Sequence, residues 1–299
     1  MANPKIIKMG CKNSTGARRS CDPAHRLPFE IFLHILELLK GGLEVDHFKP
    51  AATYSSAREE YLTTLARLLL VSKSWRHVVL RTPRLWSEID TMEPEFVESF
   101  LSRSGSALLD VPFAYDYDSS TDFSEFISPL MPHVACWRSM EILEVPGADV
   151  AACIGCDMPQ LESLRLTLNK WEAEHPRLNV IGRAPRLRRL ELEGTVVPLL
   201  SPLFFGLSSL RLSFVRDRDT STAYLCPMLR VLYLHDVHIS SETLLSVVES
   251  RAGSPIGGAP LESLRMMYCT GIDQETVSKL ERLVEDTVVV TEHSAEDRF

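Results

Sequence analysis

A short phrase, Leu-x-x-Leu-x-Leu, returns again and again along the second part of this chain. It begins at Leu161, Leu187, Leu207, Leu229 and Leu261, where the last copy ends in Met266. Met140 to Val145 (Met-Glu-Ile-Leu-Glu-Val) is a sixth, weaker copy, and Leu109-Asp110-Val111 is the remnant of an earlier one. The starts lie 20 to 32 residues apart. Alternation in the last three positions makes each copy a short strand whose leucines share one face. A single such strand cannot bury its leucines alone, so the copies must stack side by side.

The phrase and its period resemble the leucine-rich repeat. Two copies continue the pattern, with Asn169 after Leu166 and Cys269 after Met266, where such repeats turn the chain on a small or polar inward side chain. Prolines precede several copies, at Pro159, Pro185, Pro227 and Pro260. There they end the preceding segment and leave the strand's own donors free. Wider gaps, above all Ser250 to Ala259, read as loops, so the expected solenoid is irregular.

Residues between the buried leucines face the other way: Glu144, Arg165, Glu191, Arg211, Tyr233 and Arg265, flanked by Arg189, Glu193, His235 and Met267. Arginine and tyrosine are enriched at interface hot spots, and arginine grips carboxylate or phosphate with two donors. Arg165, Arg189, Arg211, Tyr233, His235 and Arg265 are therefore the expected substrate-binding residues, for a protein segment that is acidic or phosphorylated.

The first part of the chain is helical in pattern. Leu27-Pro28-Phe29-Glu30-Ile31 opens a helix, with Pro28 at a first-turn position and Glu30 favoured by the helix dipole. Ile31, Ile35 and Leu38 recur at helical spacing, Leu27, Phe32, Leu36 and Leu39 widen the apolar surface, and Gly41-Gly42 ends it. A second run from about Glu59 to Leu70 and a third near Lys73 to Leu80 follow, closed by Pro83 and Leu85-Trp86. Three short helices cannot bury this much apolar surface among themselves. A partner surface is expected.

This segment resembles an F-box. The phrases Arg81-Thr82-Pro83-Arg84-Leu85-Trp86 and Phe100 to Ser106, joined to the degenerate repeats, extend the resemblance to F-box proteins of the fungal type. The resemblance implies a Skp-type adaptor held by Leu27, Pro28, Ile31, Ile35, Leu36, Leu69, Val71, Trp75, Val79, Pro83 and Leu85. Through that adaptor it implies a cullin scaffold, and hence the role of substrate receptor in an SCF ubiquitin ligase, with no catalysis by the chain itself. A non-ligase adaptor or scaffold is the alternative. The chain departs from the compact pattern by a polar insertion at 40–60, which costs roughly 1 kcal/mol or less in loop closure.

Composition fits an ordinary globular chain, with 45% apolar and 24% charged residues. A formal charge of -8 argues against nucleic acid as a partner. The longest nearly uncharged stretch, Val196 to Leu207, holds Pro198, Pro202 and Gly206 and falls short of the ~20 residues of a membrane helix. Seven cysteines without dense spacing fit reduced thiols in the cytoplasm or nucleus. Cys153-Ile154-Gly155-Cys156 has C-x-x-C spacing but no second half for zinc, and His235-Asp236-Val237-His238 supplies too few ligands. No metal, cofactor or catalytic motif is expected; Cys269 as a nucleophile would need a nearby base. The expected fold is α/β: a basic tail over 1–25, a three-helix F-box over 26–90, a leucine-rich-repeat solenoid with a parallel sheet over 91–290, and a short tail over 291–299.

Overall fold

The computed structural model describes residues 52–92, 94–114, 122–168, 182–194, 206–214, 226, 228–252 and 259–290, together with Ile31, His34, Ile35 and Leu38. The chain divides into two compact units, Met1–Gly42 and Leu43–Phe299. This boundary falls inside segment 26–90. In the first unit, Ile31, His34, Ile35 and Leu38 are helical and exposed.

The second unit begins with α1 (Ala52–Val71) and α2 (Lys73–Leu80). Helix α1 starts well before Glu59, so residues 52–60 of the expected insertion are helical rather than loop. Ser72 separates the two helices as the N-cap of α2, its side chain accepting from the Trp75 N–H at 3.2 Å. A 3-10 turn (Pro83–Trp86) and α3 (Pro94–Ser104) follow. Trp86 is buried, donates Nε1 to the Val79 carbonyl at 2.9 Å and meets Phe100 edge to face at 5.0 Å. The Tyr61 hydroxyl donates to the Leu85 carbonyl at 2.6 Å, which ties α1 to the turn.

Eight parallel strands follow in one sheet, ordered as in the sequence: β1 (Leu109–Ala114), β2 (Trp137–Val145), β3 (Ser163–Leu168), β4 (Arg189–Glu193), β5 (Ser209–Ser213), β6 (Val231–His235), β7 (Ser263–Met267) and β8 (Asp286–Val290). Between β1 and β2 lie α4 (Phe123–Ile127) and a 3-10 turn (Met131–Cys136); α5 (Gly147–Ile154) follows β2, α6 (Ser241–Ala252) follows β6 and α7 (Gln274–Leu283) follows β7. The fold is therefore mixed α/β around a parallel sheet, as the repeated phrase requires.

Register explains why the phrase repeats. Val111, Met140, Leu164, Leu190, Leu210, Leu232 and Leu264 align as one buried row. Phe113, Ile142, Leu166, Leu192, Leu212, Leu234 and Met266 align as the next, all buried except Leu212, which is half-buried. The copy at Met140 to Val145 is shifted from its expected frame: Met140 and Ile142, not Leu143 and Val145, take the positions of Leu164 and Leu166. Strand β2 is apolar enough to bury either frame, so its own pattern does not fix the register. A shift between Leu143 and Val145 leaves Glu144 exposed at φ 61°, outside the row in which it was expected.

Entry to and exit from the strands are also built in repeats. Leu161 and Leu187 donate back to the Met158 and Ala184 carbonyls at 3.2 and 3.0 Å, which puts Pro159 and Pro185 second in a turn, where a fixed φ suits them. Two successive amides then share one carbonyl of the previous repeat: Ser208 and Ser209 on Arg188, Arg230 and Val231 on Ser208, Glu262 and Ser263 on Arg230. At the exit, Gly194, Phe214, Asp236 and Tyr268 all take positive φ, between 50° and 68°. Each donates its N–H to the last carbonyl of the next strand, at 2.7 to 3.1 Å: Ser213, His235, Met267 and Val290.

Candidate protein-binding surfaces

The residues between the buried rows do line up on one face. Glu141, Arg165, Glu191, Arg211, Tyr233 and Arg265 are neighbours across five ladders. Glu141 takes the place expected for Glu144, because the register of β2 is set by Met140 and Ile142. Arg189 and His235 fall in the flanking rows, with Arg189 exposed and His235 half-buried.

The two halves of this face differ in chemistry. On β2 to β4, Arg165 is clamped: Nη1 meets Glu141 Oε1 at 2.7 Å and Nε meets Glu191 Oε2 at 3.3 Å. Its side chain is only 19% exposed, so it forms a nearly internal ion triad rather than a fork offered to solvent. Glu193 accepts from Thr167 Oγ1 at 3.4 Å, and a small polar hollow lies between Arg165, Thr167, Glu191, Glu193, Arg211 and Ser213. On β5 to β7 the Arg211 guanidinium lies 4.1 Å over the Tyr233 ring. His235 stacks beside Tyr233 at 6.5 Å and meets Phe214 and Tyr268 edge to face at 5.1 and 5.5 Å. Tyr233 donates its hydroxyl to Met267 Sδ at 2.8 Å. Arg265 is half exposed, 3.7 Å from Asp286.

The helical residues expected to meet an adaptor sort by exposure. Ile31 and Ile35 are exposed, as is Leu38 beside them in sequence, at 61%. In the second unit Val71 is 55% exposed, Pro83 is exposed, and Leu69 and Trp75 are half-buried. Val79 and Leu85 do not fit that role: both are almost fully buried, Val79 in α2 and Leu85 in the turn beneath Tyr61. Their surface is already spent on the chain's own core. Leu27, Pro28 and Leu36 lie outside the described residues. Leu70, 77% exposed beside Val71 at the α1–α2 corner, and Leu80 were not among the expected contacts. Periodicity assigns such residues to a core face, and only the packing of α2 on α1 shows that they point outward.

The thiols and His238 are held by other partners. Cys153 sits at the C-terminal end of α5, where the helix dipole disfavours a thiolate. Burial, with a smaller push from Cys156, raises its thiol to about 12. Cys156 donates to the Cys153 carbonyl at 3.0 Å. Cys269 Sγ lies 3.6 Å from both the Leu234 and Met267 carbonyl oxygens, which share its single S–H across two repeats, and its thiol is also raised by burial. His238 pairs with Thr270 Oγ1 at 3.0 Å while His235 lies among the rings. Among the described residues, no group of three or more His, Cys, Asp or Glu could hold a metal, and no helix is long and apolar enough to cross a membrane.

No family model, no curated protein and no solved structure matches this chain.

Proposed function

We propose that this protein is a substrate receptor of an SCF-type ubiquitin ligase, with a helical segment that docks a Skp-type adaptor and a sheet face that holds a protein substrate. The observation that carries the reading is the set of large apolar side chains left in solvent on the helical segment: Ile31, Ile35, Leu38, Leu70 and Val71. Ile31, Ile35 and Leu38 lie in the first unit and Leu70 and Val71 in the second, and exposed apolar clusters of this kind in each unit support a partner surface. The eight-stranded sheet supports the second half of the reading, because its row of charged and aromatic side chains stands on backbone fixed by ladder bonds on both sides.

In this role the chain breaks no bond. It raises the effective concentration of a substrate lysine near a charged ubiquitin carrier. The substrate segment is proposed to be acidic or phosphorylated, with exposed Arg189 and Arg265 as its donors and Arg211, Tyr233 and His235 beside them. Arg165 is left out because its donors already serve Glu141 and Glu191.

Co-expression of the full chain with a Skp-type adaptor tests the first half. Copurification is expected from the native chain and loss from an Ile31→Asp/Val71→Asp variant. Both side chains are exposed, so the circular dichroism of the variant should match the native spectrum. A native chain that leaves the adaptor behind would overturn the reading. Ubiquitylation of a captured substrate in a reconstituted complex separates a ligase receptor from a scaffold.

A further inference from the structure

The two edges of the sheet are finished differently. On β1, Asp110 turns its backbone outward, and both groups are used: Ile89 donates to its carbonyl at 2.9 Å and its own N–H reaches the Ser87 carbonyl at 2.8 Å. The next outward position along the strand is Pro112, which has no N–H to offer. A bridge and a proline blunt that edge, as expected of an edge protected from further pairing.

On β8, Asp286 and Val290 turn toward β7, since the Asp286 N–H reaches the Glu262 carbonyl and the Val290 carbonyl accepts from Tyr268. By alternation, the amide groups of Thr287 and Val289 turn to the open side. Among the described residues no strand or bridge pairs there. The strand reads Asp-Thr-Val-Val-Val, with no proline, lysine or arginine to discourage pairing. The core rows end unclosed as well. Leu264 and Met266 are wholly buried, whereas their partners Thr287 and Val289 on β8 are half-buried.

We propose that the outer edge of β8 is a strand-acceptor site for an extended segment of a partner protein. Pairing with Thr287 and Val289 fixes its backbone, as in other cases of strand addition. Side chains placed beside Thr287 and Val289 continue the core rows, so the segment carries β-branched apolar residues at alternate positions. Asp286 is half exposed at the strand's start, with Ser263 and Arg265 on its β7 side, so the segment carries a lysine or arginine at the position next to it. A second copy fits less well: two β8 strands meeting about a two-fold axis run antiparallel and set each Asp286 against Val290, a carboxylate against an apolar side chain. The pairing edge uses none of the residues proposed for the adaptor, and it adjoins the proposed substrate surface through Asp286, which lies 3.7 Å from Arg265.

Amide hydrogen exchange on the full chain tests it, with a synthetic hexapeptide of alternating threonine and valine behind an arginine as the probe. In the free chain the Thr287 and Val289 amides should exchange faster than that of Val288, and saturating peptide should slow both by about tenfold or more. Val289→Pro removes an outward N–H and no N–H of the ladder with β7, while fixing φ at that position. It should abolish the slowing while Val288 stays protected. Should that variant lose Val288 protection, Asp286→Lys decides: it should weaken the arginine peptide and favour one that begins with glutamate. The proposal is overturned if Thr287 and Val289 are already as protected as Val288 in the free chain, if the peptide slows neither, if both variants respond as the native chain does, or if dimerisation alone protects these amides.

Discussion

Strands β2 to β4 and strands β5 to β7 share one backbone plan and present opposite chemistries. In the first group the face is ionic, with Arg165 held between Glu141 and Glu191, and the exit turn after β4 is a glycine, Gly194. In the second, rings gather around His235, and two of the exit residues, Phe214 and Tyr268, are bulky side chains in a conformation that suits glycine. The lesson is that a repeat fixes the backbone and the buried rows while leaving each solvent position free to vary. Left-handed backbone costs a non-glycine residue roughly 1–2 kcal/mol, and such strain is characteristic of functional positions. The aromatic half holds four of the five residues proposed to meet substrate, Arg211, Tyr233, His235 and Arg265; the fifth, Arg189, lies on β4, and Glu144 of β2 shares the positive φ.

The comparison predicts, first, that the halves are alike in the core. Leu190→Ala and Leu264→Ala each remove a wholly buried side chain and should each cost about 2–5 kcal/mol in urea unfolding. A much smaller loss at either site would show that one half is loosely packed. The halves should part at the surface. Glu141→Gln/Glu191→Gln strips Arg165 of both carboxylates and should cost roughly 1.5–3 kcal/mol by the same measurement. Tyr233→Leu, which removes the ring beneath Arg211, should cost about 0.5–1 kcal/mol.

The exit turns give the sharpest contrast. Gly194→Ala meets both a positive φ and the Leu168 carbonyl 3.3 Å from the new Cβ, and should destabilise by about 1 kcal/mol. Phe214→Gly relieves strain while losing the edge-to-face contact with His235, worth about 0.5–1.5 kcal/mol. Its net change should stay within about 1 kcal/mol, yet substrate capture should fall. A large loss of stability would mean that the ring serves the fold. The smallest effect belongs to the thiols. Cys153→Ser/Cys156→Ser should leave adaptor and substrate binding intact, and Cys153 should resist alkylation near neutral pH. Its folded-state value is raised, so its contribution to stability is whole below the ordinary thiol range and is lost as pH climbs towards about 12.

Much of this was readable in advance because strand periodicity is local. The leucines of the phrases beginning at Leu161, Leu187, Leu229 and Leu261 are buried, and Arg165, Arg211, Tyr233 and Arg265 share a row. The frame of β2 was not readable, because Leu143 and Val145 are as apolar as Met140 and Ile142, and the choice was made by pairing with β1 and β3. The start of α1 at Ala52 was hidden by polar residues that serve a helix as well as a loop.

Sequence by itself determined that this chain builds a parallel sheet of stacked repeats with leucines inside, because alternation and period leave few other ways to bury them. Only the tertiary structure decided that Arg165 is clamped by Glu141 and Glu191, that Val79 and Leu85 are buried while Leu70 and Val71 are exposed, and that among the described residues β8 is the last strand of the sheet. The reason is physical: a side chain's periodicity says which face it shares, but its partners and its solvent depend on elements far away in the chain.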